Sequence, residues 1–313
     1  MSSAELHVLK RVARYSQINT VALVFATNDF FEIILNWACH ALSVGVRWFV
    51  LVACDTVLYK RLRASEFSKH ALLLPRVRDG NVTLTKLNVI GERQTFGLSV
   101  LERGYSVVHS DADALWIKDP TSLFAGGDVV AERIWGKPIS VVKQWGAAIC
   151  TGFYYLRSTP AVIGIARTVQ REVAAKRARQ PGWQASDQYY INVVLKRMGV
   201  RWSTTKKMEG AQSMATRFTD NASHVGVVTT PHGPLRLVLL AHNAVPRACP
   251  MLSADETAKL QSGGKLKGKA RYWRMLLISA SVLHCFPPEK ARASSEKRSI
   301  FMGIRRKRTM GRT

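Results

Sequence analysis

The chain has 313 residues, 47% of them hydrophobic, enough to bury a full core in one large α/β domain or one and a half smaller ones, which excludes disorder throughout. Lys and Arg number 46 against 21 Asp and Glu, a net charge of +25, so the surface favours polyanions: nucleic acid, anionic membrane or phosphorylated small molecules. The five cysteines are odd in number and widely spaced with no C-x-x-C pair, which argues against a zinc knuckle or a dense disulfide framework.

In chain order, Val21 to Thr27 is an apolar run of strand length, followed by the capping pair Asn28-Asp29 and a helical stretch from Phe30 to Leu42. Val46 to Ala53 repeats the buried-strand pattern and Asp55 to Phe67 the helical one, so the first hundred residues read as alternating β and α with a parallel sheet. Glu92 to Arg103 is a helix closed by Gly104, and it leads into a strand over Tyr105 to Ser110. Beyond Pro120 the pattern is mixed, with strands over Asp128 to Glu132 and Ala147 to Leu156 and helices over Ala161 to Lys176 and Ser186 to Met198. Leu235 to Ala241 is the clearest later strand, with Val282-Leu283 as a short last one. No run reaches the roughly 20 apolar residues of a membrane span and Met1 to Arg14 lacks an apolar signal core, so as given the chain reads as soluble. Sequons at Asn81 and Asn221 suit a secretory lumen but are short enough to arise by chance.

The chemistry concentrates at Ser110-Asp111-Ala112-Asp113, where an apolar strand ends in two carboxylates one residue apart. In an open α/β sheet, ligands sit outside the carboxyl ends of strands. Hard oxygen ligands there suit Mn²⁺ or Mg²⁺, which bind through one or two carboxylates plus substrate phosphates. The competing structural account is a turn whose acids cap the next element.

Several ordered blocks between Val21 and Lys290 resemble the nucleotide-diphospho-sugar transferases of glycosyltransferase family 77, which includes plant and algal α-xylosyl-, arabinosyl- and galactosyltransferases. The blocks are Thr27-Asn28 with Asn36-Trp37, Arg93 to Tyr105, Ser110 to Pro120, Thr151 to Thr159 and Ser186 to Asn192. The resemblance implies a GT-A fold, a Rossmann-like single α/β domain with a mixed central sheet and the D-x-D motif at a strand end. It implies an enzyme that transfers sugar with retention from a nucleotide-diphospho-sugar, commonly a UDP-sugar, to a glycan or glycoprotein. It also implies a Golgi or secretory setting, reached through an anchor this chain lacks.

Carried onto this chain, Thr27 and Asn28 border the nucleotide, Arg93 meets the diphosphate or ribose, and Asp111 and Asp113 reach ribose and metal. Thr151 and Gly152 stand where relatives place Ser-Gly, and Cys150 replaces an Asn, so a sugar contact passes from an amide to a hydroxyl. Asp187, with Gln188, is the candidate for approaching the anomeric carbon, its alternative role being a helix cap. His284 to Lys290 keeps the His-to-Lys spacing of an H-x-x-G-x-x-K element, with Pro287 in place of the glycine. His284 then completes the metal site and Lys290 neutralises the departing diphosphate; His242 is the rival ligand, while His40, His70 and His109 are read as structural. The expected organisation is an N-terminal extension over 1–18 and a catalytic domain over 19–290, with a nucleotide half (19–120) and an acceptor half (121–290). A basic tail follows over 291–313. Two other functions compete: a basic nucleic-acid-binding protein, and a D-x-D phosphatase or phosphotransferase, whose motif normally lies on the first strand.

Overall fold

The computed structural model describes residues 1–79, 86–134, 138–180, 186–203 and 222–241; His242, His284, Lys290, the 282–283 strand and the basic tail lie outside them. The first half runs α1 (Ser3–Ala13), β1 (Thr20–Ala26), α2 (Phe31–Ser43), β2 (Phe49–Ala53), α3 (Thr56–Arg63), β3 (Ala71–Leu73), α4 (Pro75–Arg78), α5 (Lys86–Leu101) and β4 (Ser106–Ser110). The second runs β5 (Val129–Ile134), α6 (Ile139–Trp145), β6 (Ala148–Leu156), α7 (Pro160–Arg179), α8 (Asp187–Arg197), β7 (Arg201–Trp202), β8 (His224–Thr230) and β9 (Gly233–Leu239). Three elements were not foreseen in the first fifteen residues and the seventies: α1, with a Ser2–Glu5 capping box, and the short pair β3 and α4.

The nine strands among the described residues join one sheet in the order β3-β2-β1-β4-β6-β5-β9-β8-β7. β3, β2, β1 and β4 are mutually parallel, as the alternation of the first hundred residues predicts, whereas β6 runs antiparallel to both β4 and β5. The sheet is therefore mixed, in keeping with the expected GT-A arrangement. Strands β1, β2 and β4 bury both faces, which is why they read as continuous apolar runs.

Alternate residues sort the two faces. Val21 and Leu23, Val50 and Val52, Val107, Tyr154 and Leu156 join a core with Leu9 and Val12 of α1, Phe96 and Val100 of α5, and residues of α7 and α8. On the other face Trp37 of α2 meets Phe49 and Trp116 edge-on at 5.4 and 5.0 Å, and Phe124 stacks on Tyr155 at 4.6 Å. Packed aromatic pairs of this kind add to what their area alone contributes.

The chain proceeds outward from β1 to β2 and β3, then returns to lay β4 on β1's other side. This reversal makes a topological switch point between β1 and β4, outside whose carboxyl ends ligands bind in open α/β sheets. The segments leaving those two strands are Thr27-Asn28 and Asp111 to Asp113.

Candidate active site

The strand-end acids are placed by the ladder and by the helix before it. Asp111 continues the β4 to β6 pairing, its N–H donating to Gly152 O at 2.7 Å. β6 carries extra residues here: β5 advances from Ala131 to Arg133 while β6 runs back from Tyr154 to Ile149, so Cys150 to Phe153 bulge beside the acids. Bulges recur next to active sites because they re-aim side chains. At Gly152 an added Cβ would stand 2.8 Å from Asp111 Oδ2, so the missing side chain is what leaves room for that carboxylate.

α5 feeds β4 through a tight turn at Gly104 (φ +84°), so it returns antiparallel to the strand and its first half lies over the strand's carboxyl end. Arg93 is thereby brought to the site. Its Nη1 donates to Asp111 Oδ1 at 2.9 Å, its Nε to Asp187 Oδ2 at 2.9 Å, and its Nη2 to Asp187 and, at 3.3 Å, to Thr151 Oγ1. Burial alone pulls the guanidinium's pKa down, but Asp187 and Asp111 outweigh it and hold the group charged. Burial pushes the Asp111 carboxyl above its ordinary range; Arg93 opposes this, while Asp113 and Asp187 add to it.

Asp187 is 3% exposed and fully engaged. Beyond Arg93, its Oδ2 accepts from Gln94 Nε2 at 3.1 Å, and its Oδ1 from Thr151 Oγ1 at 3.0 Å and from the Gln188 N–H at 2.7 Å. It is not the cap of α8: Ser186 takes that role, accepting from Tyr189 N–H at 3.3 Å, which releases Asp187 for the ionic cluster. The helix itself is anchored by the buried Asn192, whose amide pairs with both Ile149 N and Ile149 O at 2.8 Å. That pairing hooks α8 onto β6 and sets Asp187 against Arg93.

The structure thus brings Arg93, Asp111, Thr151, Gly152 and Asp187 together, with Asp113 exposed beside them. Thr27 and Asn28 follow β1 at the other lip of the switch point, where Asn28 N–H donates to Asp55 Oδ2 at 2.6 Å. Sequence reasoning missed Gln94, Asp55, Arg61 and Asn192. Asp55 carried a readable signal as the N-cap of α3, accepting from Leu58 N–H at 2.7 Å, whereas Gln94 and Asn192 lie in the resembling blocks but act over chain separations that no local pattern shows. Cys54, beside Asp55, is buried, which pushes its thiol up to about 12.

Among the described residues no group of three or more His, Cys, Asp and Glu side chains is gathered for a metal ion. The donor set still fits one: Asp113 is exposed and Asp111 half-exposed, two adjacent hard oxygen ligands, the number Mg²⁺ or Mn²⁺ takes from protein when phosphates complete its shell. The phosphatase alternative fits less well, since β4 is the fourth strand in the chain.

The chain is similar to several known proteins at low identity. The chain is 24% identical over 163 residues to an arabinosyltransferase of Arabidopsis thaliana, covering 48% of this chain and 25% of that protein. It is also 24% identical over 126 residues to the UDP-D-xylose:L-fucose alpha-1,3-D-xylosyltransferase of Arabidopsis thaliana, covering 38% of this chain and 34% of that one. These matches span between a quarter and about a third of the two relatives' own lengths. Among solved structures, the galactosyltransferase LgtC is 11% identical with a TM-score of 0.40, covering 80% of this chain and 98% of its own. The glycosyltransferase GlyE of Streptococcus pneumoniae is 12% identical with a TM-score of 0.39, covering 57% of this chain and 44% of its own. Residues 44–232, more than half of the chain and including Arg93, Asp111, Asp113 and Asp187, match the sequence model of one family, so the chain belongs to the nucleotide-diphospho-sugar transferases.

Proposed function

We propose that this protein is a metal-dependent, retaining glycosyltransferase that moves a sugar from a nucleotide-diphospho-sugar, a UDP-sugar in the first instance, to a glycan or glycoprotein acceptor. The observation that carries this reading is the acidic pair Asp111 and Asp113 at the β1/β4 switch point, tied through Arg93 to Asp187. A Golgi or secretory setting goes with it; no helix among the described residues is long and apolar enough to cross a membrane.

In this proposal Asp111 and Asp113 hold Mn²⁺ or Mg²⁺ together with His284, His242 being the rival. Such an ion would supply charge compensation and Lewis-acid activation of the leaving diphosphate. Thr27 and Asn28 border the nucleotide, Thr151 and Gly152 the sugar, and Lys290 the terminal phosphate. Arg93, held charged by Asp187, orients Asp111 and offers donors towards the diphosphate or ribose. Such preorganised donors stabilise developing charge without rearranging at the moment of reaction.

Asp187 and Gln188 stand at the sugar end of the site. Retention requires either a carboxylate nucleophile or same-face attack by the acceptor within an ion pair. Because Asp187 is 3% exposed and both its oxygens already accept hydrogen bonds, the geometry favours the ion-pair route, with Asp187 as the anchor of Arg93 and Thr151.

The test is a screen of UDP- and GDP-sugars for Mn²⁺-dependent hydrolysis, repeated with Asp113→Ala. We expect one donor to be turned over by the native protein, and the variant to keep its fold while losing metal-dependent donor binding, since an exposed acid at a strand end serves the crevice and not the core. Unchanged metal-dependent affinity in Asp113→Ala refutes the assignment.

A further inference from the structure

The carboxyl ends of β1 and β2 are tied together by Asp55 and Arg61, side chains that the proposed chemistry leaves unused. Asp55 Oδ1 caps α3 while its Oδ2 accepts the Asn28 N–H at 2.6 Å, so the backbone after β1 is held from the neighbouring strand. The Asn28 side chain is held separately: Arg61 Nη1, from α3, donates to its Oδ1 at 3.0 Å. The guanidinium in turn lies 3.5 Å over the Phe31 ring centroid, a cation–π contact that restricts its orientation. The Arg61 to Glu32 pair, at 3.6 Å with side chains 42% and 52% exposed, contributes little beside it.

A guanidinium has donors and no acceptor, so only the amide oxygen of Asn28 can face it. The orientation of that amide is therefore determined, and the group left over is its NH₂. Asn28 Nδ2 makes no hydrogen bond to any described residue, and Asn28 follows the carboxyl end of β1 at the switch point.

We infer that Arg61 is a positioning residue of the donor site: it fixes the Asn28 amide with its NH₂ presented to an oxygen acceptor on the nucleoside part of the donor. The inference rests on the functional reading above. It adds the direction of the hydrogen bond, the kind of atom recognised and the residue that sets both. Without Arg61 the amide is free to turn its oxygen outward, where it would repel a carbonyl oxygen of the base.

The test is calorimetry in Mn²⁺ with UDP, GDP and inorganic pyrophosphate on the native protein, Arg61→Met and Asn28→Asp. Methionine keeps the apolar stem over Phe31; aspartate keeps an oxygen for Arg61 and removes the NH₂ donors. We expect each variant to bind the preferred nucleotide about tenfold more weakly, the scale of one lost and one misdirected hydrogen bond, and to bind pyrophosphate as the native protein does. A purely structural role would shift the melting temperature and weaken both ligands together. Native nucleotide affinity in Arg61→Met, or equal losses for nucleotide and pyrophosphate, overturns the inference. A native protein that binds neither UDP nor GDP overturns the functional reading and the inference with it.

Discussion

The buried ionic cluster makes a quantitative demand on stability that an exposed pair does not. The Arg93 and Asp187 side chains are 12% and 3% exposed, whereas Arg167 and Glu102, which also pair through one guanidinium and one carboxylate, are 59% and 38% exposed. Replacing Arg93 by Met leaves the Asp187 carboxylate buried with only neutral donors, Gln94, Thr151 and the Gln188 N–H. Orphaning a buried charge costs about 3–5 kcal/mol, and because those neutral donors remain, the expected loss lies near the lower end, about 3 kcal/mol. At roughly 2–4 °C per kcal/mol for a domain of this size, the melting temperature should fall by about 6–12 °C. Asp187→Asn costs less, since Arg93 keeps Asp111 as a counter-ion. The Arg93→Met/Asp187→Asn double variant removes both charges, so its loss should fall short of the sum by more than about 1 kcal/mol, towards the upper part of the roughly 0.5–3 kcal/mol found for residues in one network. The matching cycle on Arg167 and Glu102 should give about 0.2–1 kcal/mol. Differential scanning calorimetry and urea unfolding read both cycles, and an Arg93–Asp187 coupling no larger than that of the surface pair would refute the reasoning.

Gly152→Ala should leave the fold intact yet weaken Mn²⁺-dependent nucleotide binding about tenfold or more, the effect typical of disturbing a ligand's support. The new methyl would lie 2.8 Å from Asp111 Oδ2, and the half-exposed carboxylate yields more readily than the backbone; native affinity measured by calorimetry would show that Asp111 needs no such space. His109 is buried between Phe25 and Tyr154, and burial, aided by the Arg93 charge, holds its pKa well below the usual value, so it stays neutral in the folded state. The unfolded chain takes up that proton below a pH of about 6.5, so the stability contribution present above that value is lost as pH falls, at up to about 1.4 kcal/mol per pH unit. His40 and His70 are shifted in the same direction, so the share due to His109 is the slope removed by His109→Leu in urea unfolding between pH 7.5 and 5.5. An unchanged slope would refute it.

Much of the fold was legible because its signals are local. Strand β1 shows as an unbroken apolar run, α5 ends where Gly104 supplies a positive φ, and β4 stops at the carboxylates of Asp111 and Asp113, features that need only neighbouring residues to be read. The helix α1 was overlooked because Leu9 and Val12 form a narrow apolar stripe in a basic segment, and only their burial against the sheet shows that the stripe is used. The resemblance brought Arg93, Asp111 and Asp187 onto one page without saying how they meet. Arg93 and Asp187 are 94 residues apart, and their pairing depends on α5 returning over β4, on the reversed strand β6 and on Asn192 hooking α8 to Ile149. Whether Asp187 capped a helix or joined the site was likewise undecidable from spacing, since both roles suit an acid at a helix start; the neighbouring Ser186 takes the cap and leaves the carboxylate to Arg93. By itself the sequence determined where β1 and β4 end and which acids stand after β4, since propensity and periodicity act over a few residues. The tertiary structure decided which charges neutralise one another and which way the Asn28 amide faces, because those depend on sheet order and on contacts between segments distant in the chain.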